Sequence, residues 1–352
     1  MKNVLIVFIV IIVVVIGVVA YMQMKPGDNG GPSESGSVDT DKGEVVIYVA
    51  QDRDYAEVVM KEFEEETGIK VNARYDTEAD KTVGHVRRLR AEKDNPKCDV
   101  HWNNEPMHSV ALAQEGIYAP YVSKHDSKFP EEFKDSADMW IGFAARARVI
   151  IYNTEDDAPE FNGMMDFTKE EFKGKTCIAN PRAGSTQTHM AALHSAWGEE
   201  KFLKWVMDIK ANDVKILASN GQTANAVANG ELWYGLTDTD DAVSRREERN
   251  KPCDLLFPDQ DGEGAVMFPN TLALVKGGPN ADNGKILIDW LLMKELHFAK
   301  SPAAQIPLNT EVETPEGRYA ISDFKAMELD WADVAAARDA AMKILNENLP
   351  LQ

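Results

Sequence analysis

Glu44-Val-Val-Ile-Tyr-Val-Ala50 opens the folded body with a β-prone apolar run, and the residues immediately after it decide the fold. Gln51-Asp-Arg-Asp54 gives way to a helical pattern over Tyr55 to Thr67. Val59, Met60 and Phe63 fall on one face of it, and Glu62, Glu64, Glu65 and Glu66 fall largely on the other. Gly68 stops the helix, because a residue without Cβ takes the left-handed closing conformation at no steric cost. Ile69 to Arg74 is then a second strand. Strand, crossover helix and strand in quick succession form a βαβ unit, which sets the strands parallel in a sheet with helices on its faces.

The pattern continues down the chain. A second helix is expected from about Asp80 to Lys93, then a strand over Cys98-Asp-Val-His-Trp102. Pro106 after Asn103-Asn-Glu105 suits the first turn of another helix, which runs to Glu115 and stops at Gly116. Asp52 and Glu105 therefore each sit just past a strand end, on the rim where open α/β sheets bind ligands. Glu105 also fits as a plain helix-start acid. Phe143 to Asn153 is a β-prone run long enough to cross between lobes. Its Arg146 and Arg148 either pair with surface acids or face an anion in a cleft.

Lys175 to Ala179 reads as a strand, and Asn180-Pro-Arg-Ala-Gly-Ser-Thr-Gln187 as a tight turn into a helix reaching Trp197. Gly184, Ser185 and Thr186 put free N–H groups and hydroxyls at that helix start, an anion site by construction. Ser185 or Thr186 serves equally as an ordinary N-cap, and the two readings are compatible. A helix over Glu199 to Asn212, a strand over Val214 to Leu217 and a short helix from Ser219-Asn-Gly-Gln222 to Asn229 come next. Glu263 to Lys276 is a second long apolar run that returns the chain to the first lobe. Helices are expected from about Asp282 to Phe298 and from Trp331 to Asn348.

Between them lies Gly230-Glu-Leu-Trp-Tyr-Gly-Leu-Thr-Asp-Thr-Asp-Asp-Ala242. Leu232 to Leu236 has the length of a short buried strand, and Thr237 to Asp241 sets Asp238, Asp240 and Asp241 at its carboxyl end. A helix pattern starts at Ala242, so one reading of Asp240 or Asp241 is as its cap, and the other is contact with a ligand. One helix start needs only one cap. Like charges this close repel unless a cation or a donor-rich ligand sits among them.

At 352 residues the chain has room for two domains or one bilobed body, and its net charge of −20 makes nucleic acid an unfavourable partner. Met1-Lys-Asn3 leads into an apolar run, Val4 to Tyr21, which fits an export signal with a small-residue cleavage site at Val18-Val-Ala20, or an uncleaved membrane anchor. A polar Gly/Ser/Pro tether extends from there to about residue 43. Cys98, Cys177 and Cys253 lie far apart and adjoin apolar segments, so buried thiols are expected and no CxxC motif exists. No HExxH pair, GxSxG elbow or serine–histidine–acid order supports an enzyme.

Val46-Ile-Tyr-Val-Ala-Gln-Asp52, Phe63-Glu-Glu-Glu-Thr-Gly-Ile-Lys-Val71, Cys98-Asp-Val100 with Glu105, Ala145-Arg-Ala-Arg-Val149, Pro181-Arg-Ala-Gly184, Asn229-Gly-Glu231 and Ala304-Gln-Ile-Pro-Leu308 stand in a characteristic order. In that order the chain resembles the periplasmic substrate-binding proteins of ABC importers, in the branch of the bacterial ferric-ion-binding proteins. The resemblance covers Val45 to about Pro315. It implies an α/β, two-lobed periplasmic-binding-protein fold of type II, with an interlobe ligand cleft and two hinge-crossing strands. Lobe 1 would be residues 44–145 and 270–307, lobe 2 residues 146–269 and 308–352, with 1–21 the signal peptide or anchor and 22–43 the linker.

The implied function is capture of a small solute by hinge closure and transfer to an ABC permease, by a periplasmic or outer-face-anchored monomer with no catalytic cofactor. Asp52 falls where ferric-binding members place a histidine, Glu105 lies one residue off their glutamate, and Asp240 and Asp241 replace their tyrosine pair. The implied metal set is Asp52, Glu105, Asp240 and Asp241, suited to a hard cation such as iron. Gly184, Ser185 and Asn220, beside Thr186, match positions that hold a synergistic, phosphate-like anion, with Asp238 where the family has asparagine. The same residues suit a phosphorylated or amine-bearing organic solute. A membrane-tethered sensory binding module is the remaining alternative.

Overall fold

The computed structural model describes residues 42–51, 53–75 and 83–351. The Val4 to Tyr21 segment, almost all of the tether, Asp52 and the start of the second expected helix lie outside them.

The opening βαβ unit forms as its pattern dictates. Strand β1 (Glu44–Val49) runs into helix α1 (Arg53–Thr67), which buries Ala56, Val59, Met60 and Phe63, and then into β2 (Lys70–Tyr75), parallel to β1. Helix α2 (Val83–Ala91) leads to β3 (Val100–Asn103), also parallel to β1, and to α3 (Pro106–Gln114). A short β4 (Tyr118–Ala119) precedes β5 (Ile141–Asn153). The second half repeats the logic. β6 (Thr176–Ala179), α4 (Gly184–Ala211), β7 (Lys215–Leu217), α5 (Asn220–Ala228), β8 (Tyr234–Asp238) and α6 (Thr239–Glu247) give a parallel β7–β6–β8 set. The expected pair of helices after β6 is α4, bent at Gly198.

β9 (Cys253–Leu256) and β10 (Met267–Val275) come next, then α7 (Ala281–Leu292), α8 (Glu295–Lys300) and α9 (Trp331–Asn348). The single helix expected over Asp282 to Phe298 is thus two. Among the described residues the strands run in the order β2-β1-β3-β10-β5-β8-β6-β7, with β4 on β10 and β9 on β5.

β5 joins the two half-sheets. Ile141 to Ala147 pair with β10, and Arg148 to Asn153 pair with β8 and β9. β10 lies between β5 and β3, so the two long apolar runs are the central strands. Both are buried along nearly their whole length, which is why they lack the alternation of a half-exposed strand. Arg146 and Arg148 are the charges inside them.

At the crossing the β5–β10 register shifts between Phe268 and Asn270, opposite Ala144. Ala144 stands at φ 45°, a left-handed conformation costly for a residue with Cβ. The surroundings fix it there. Its N–H donates to Glu295 Oε1 at 2.5 Å, its carbonyl accepts from the Asn270 side chain, and Ala145 and Ile306 exchange backbone bonds at 2.8 Å. Glu295 also accepts the N–H groups of Leu308 and Asn309, so one buried carboxylate ties the crossing strand to the segment after α8. Burial of Glu295 outweighs these amide bonds and pushes its carboxyl up to about 7. Helix α9 lies along α4 and also touches α3, and so contacts both halves. Cys98, Cys177 and Cys253 are buried free thiols.

Candidate ligand site in the cleft

A cavity of about 580 Å³ opens at the carboxyl ends of β6, β7 and β8, with Asn104 of the first half also among its lining. Three helices begin there. α4 starts at Gly184, α5 is capped by Ser219, whose Oγ accepts from Gln222 N–H at 3.2 Å, and α6 continues from β8 without a loop. Gly235 lets α5 approach β8, since a Cβ there would sit 2.7 Å from a Thr223 methyl. Gly184 stands at φ 64° with open space where a Cβ would point, so its backbone faces the cavity bare.

The sequence pattern ended β8 at Leu236 and began the next helix at Ala242. In the structure the strand runs on to Asp238 and the helix starts at Thr239, which removes the expected loop. Asp238 occupies the N-cap position of α6 yet makes no side-chain cap bond. Arg148, its register partner on β5, takes it instead.

Arg148 is wholly buried beneath the cavity. Its Nη1 donates to Asp238 Oδ1 at 2.5 Å, to Ser185 Oγ at 3.2 Å and to Asn220 Oδ1 at 3.2 Å, and its Nη2 donates to Thr186 Oγ1 at 3.3 Å. Its Nε donates to Nδ1 of His189, an imidazole kept neutral because burial, and then the guanidinium itself, press its pKa well below the usual range. Ser185 and Thr186 therefore turn inward and cap nothing. Ser185 Oγ donates to Asp238 Oδ2 at 2.7 Å, Asn220 Nδ2 donates to Ser185 Oγ at 2.7 Å and to Asp238 Oδ2 at 3.1 Å, and Thr186 Oγ1 donates to Asn220 Oδ1 at 3.0 Å.

Asp238, Asp240 and Asp241 converge, each offering an oxygen within 4.8 Å of the others. Asp240 Oδ1 accepts from the Asp241 N–H at 3.1 Å and its Oδ2 lies 3.6 Å from Arg146. Asp241 accepts from Thr237 Oγ1 at 3.1 Å and faces Arg245, one helical turn on, at 3.7 Å. Burial opposes ionisation of Asp238, but Arg148 and then Arg146 outweigh it and hold its carboxyl below the usual range. For Asp241 burial wins, reinforced by Asp240 and Asp238, and its carboxyl is pushed up to about 7.

Glu105 is not one of this group. Its carboxylate caps α3, accepting from Met107 N–H at 2.8 Å and His108 N–H at 3.2 Å, and it also accepts from Thr188 Oγ1 of α4 at 2.9 Å. Its oxygens are spent on the helix start, the role that Pro106 signals, and on the contact across to the second half. Asp52, the remaining member of the expected metal set, lies outside the described residues.

The structure adds Arg182, Arg245 and Asn104 to the wall and places there Arg146, which the sequence left between pairing with acids and facing a cleft. Arg146 donates from Nη2 to the Asn104 carbonyl at 2.7 Å and from Nη1 to Asp238 at 3.4 Å. Two signals for these arginines were in the sequence. Arg146 and Arg148 share a face of one strand, and Arg245 stands four residues after Asp241 on a helix.

Over 323 residues the chain is 25% identical to Iron uptake protein A1 of Synechocystis sp., covering 86% of each chain. It is 27% identical over 299 residues to a Salmonella typhimurium protein provisionally named as a 2-aminoethylphosphonate-binding periplasmic protein, covering 82% of this chain and 86% of that one. Among solved structures, the ferric binding protein from Campylobacter jejuni superposes with a TM-score of 0.78 at 22% identity, covering 86% of this chain and 98% of the other, and shares its fold. The bacterial extracellular solute-binding protein family matches residues 59–320, a run that begins within α1 and takes in every strand after β1, both crossing strands included, and the chain belongs to that family.

Proposed function

We propose that this solute-binding protein captures a metal cation, with iron favoured, on Asp240 and Asp241 in the cleft and passes it to an ABC permease. The observation that carries the reading is the convergence of aspartate oxygens within 4.8 Å in the cavity wall. Carboxylates are hard donors suited to such an ion, and the name of the Synechocystis relative points the same way. The cation is cargo, and the protein performs no chemistry on it.

In this reading residues 44–145 with 270–307 and 146–269 with 308–352 move as lobes about the strand crossing. The protein works as a monomer, exported or tethered by Val4 to Tyr21. A second reading is favoured by the bare Gly184 backbone and Arg182 beside it. An organic solute could place a phosphate or phosphonate there and an amine on Asp240 and Asp241, as the name of the Salmonella relative suggests.

Elemental analysis and native mass spectrometry of protein purified without chelator or affinity metal separate the two. Stoichiometric metal is the expected result. Metal-free protein whose melting temperature rises with an aminophosphonate or sugar phosphate, and with no metal, would transfer the function to organic solute uptake.

A further inference from the structure

Asp238 differs from the aspartates beside it in how fully the protein's own donors engage it. An ionised carboxylate offers about four acceptor sites. Four donors reach it here, Arg148 Nη1 at 2.5 Å on Oδ1, and Ser185 Oγ at 2.7 Å, Asn220 Nδ2 at 3.1 Å and Arg146 Nη1 at 3.4 Å on Oδ2, so Oδ2 is crowded and Oδ1 is held by the guanidinium. They arrive from β5, α4 and α5, and the side chain at their centre is 3% exposed. A hydroxyl, an amide and two guanidinium groups at converging helix starts are the donor types that hold a free oxyanion.

We propose that Asp238 is an internal anion. It fills a donor nest that would otherwise draw phosphate or sulfate from solution, neutralises buried Arg148, and leaves solute contact to Asp240 and Asp241. The cleft then loads its cargo with no accompanying oxyanion in that nest. This deepens the reading of the same site, but its test needs no cargo.

The experiment titrates inorganic phosphate into the metal-free protein and into Asp238→Asn, monitored by calorimetry and by melting temperature. The wild type is expected to show no phosphate binding that depends on the nest. Asp238→Asn keeps the shape of the side chain but exposes the buried guanidinium, and is expected to gain more than ~10-fold in phosphate affinity and to be stabilised by it. Well-folded Asp238→Asn protein that ignores phosphate would overturn the proposal.

Should that variant fold only poorly, the wild type decides alone, with Ser185→Ala and Asn220→Ala as controls. Phosphate binding by the wild type that both controls abolish means the nest is open to solution, and the proposal fails. Absence of binding, or binding that survives both controls and so lies elsewhere in the cleft, upholds it.

Discussion

Asp238 in the cleft floor and Glu295 behind the strand crossing are both carboxylates almost wholly removed from water. Asp238 is met by two guanidinium groups, a hydroxyl and an amide side chain, and ionises more readily than usual. Glu295 is met by three backbone N–H groups and, among the described residues, by no cation, and its carboxyl is pushed up to about 7. Neutral donors orient a buried carboxylate, but opposite charge is what repays its desolvation. The cleft floor is therefore built to keep a charge, and the crossing to hold geometry.

The most severe way to break this contrast is to remove the cation from the first member. Arg148→Ala leaves Asp238 buried beside only one guanidinium and should cost about 3–5 kcal/mol, read by urea denaturation. A loss below ~1 kcal/mol would mean that Ser185 and Asn220 suffice and that the distinction from Glu295 is illusory. Next in size, Asp240→Ala with Asp241→Ala should cut cargo affinity by ~100-fold or more while the melting temperature holds, because these carboxylates repel one another. Unchanged affinity would reduce both to helix-start acids.

Glu295→Gln sharpens the second member. The amide keeps one acceptor but turns N–H toward N–H, and should cost about 1–3 kcal/mol. It should also remove a pH dependence. Folded Glu295 retains its proton to about 7 against 4.5 for the ordinary group. Its contribution is therefore fully present below pH 4.5 and is lost as pH rises through 7. Stability curves of the variant should lack that decline, and an unaltered curve would remove Glu295 as its source. The smallest effect is on cargo. Asp241 titrates at about 7 without cargo, so cation affinity should fall by ~10-fold per pH unit below neutrality as a proton competes for the site. Affinity that stays flat from about pH 8 to about pH 6 would show that Asp241 donates nothing to the ion.

The same contrast marks what could be read from the chain. Apolar runs with their boundaries are local, and so the βαβ opening, both crossing strands and the start of α9 at Trp331 were legible. Glu105 was legible too, since Pro106 beside it announces a helix start. The beginning of α6 was not. Thr237 to Asp241 is as polar as any loop, and only pairing with Arg148, far away in sequence, carries the strand through Thr237 to Asp238. In the same way Asp238 reads as one more rim acid until its four donors are assembled from distant elements. The break after Leu292 was missed for a related reason. Just beyond it Glu295 turns into the crossing to bind Ala144 and Leu308, a tertiary contact that helical periodicity does not announce.

Arg146 gives the cleft one further property, best put in terms of leverage. Its guanidinium spans a gap like a strut, braced at one end on the Asn104 carbonyl of the first half and at the other on Asp238, with Asp240 within 3.6 Å. If the halves rotate against one another, as the proposed function requires, one brace is unloaded. Under that reading, loss of the Asn104 contact would leave the same positive charge beside Asp238 and Asp240, where it opposes a bound cation. Opening the jaws and expelling the cargo would then be a single stroke of one side chain.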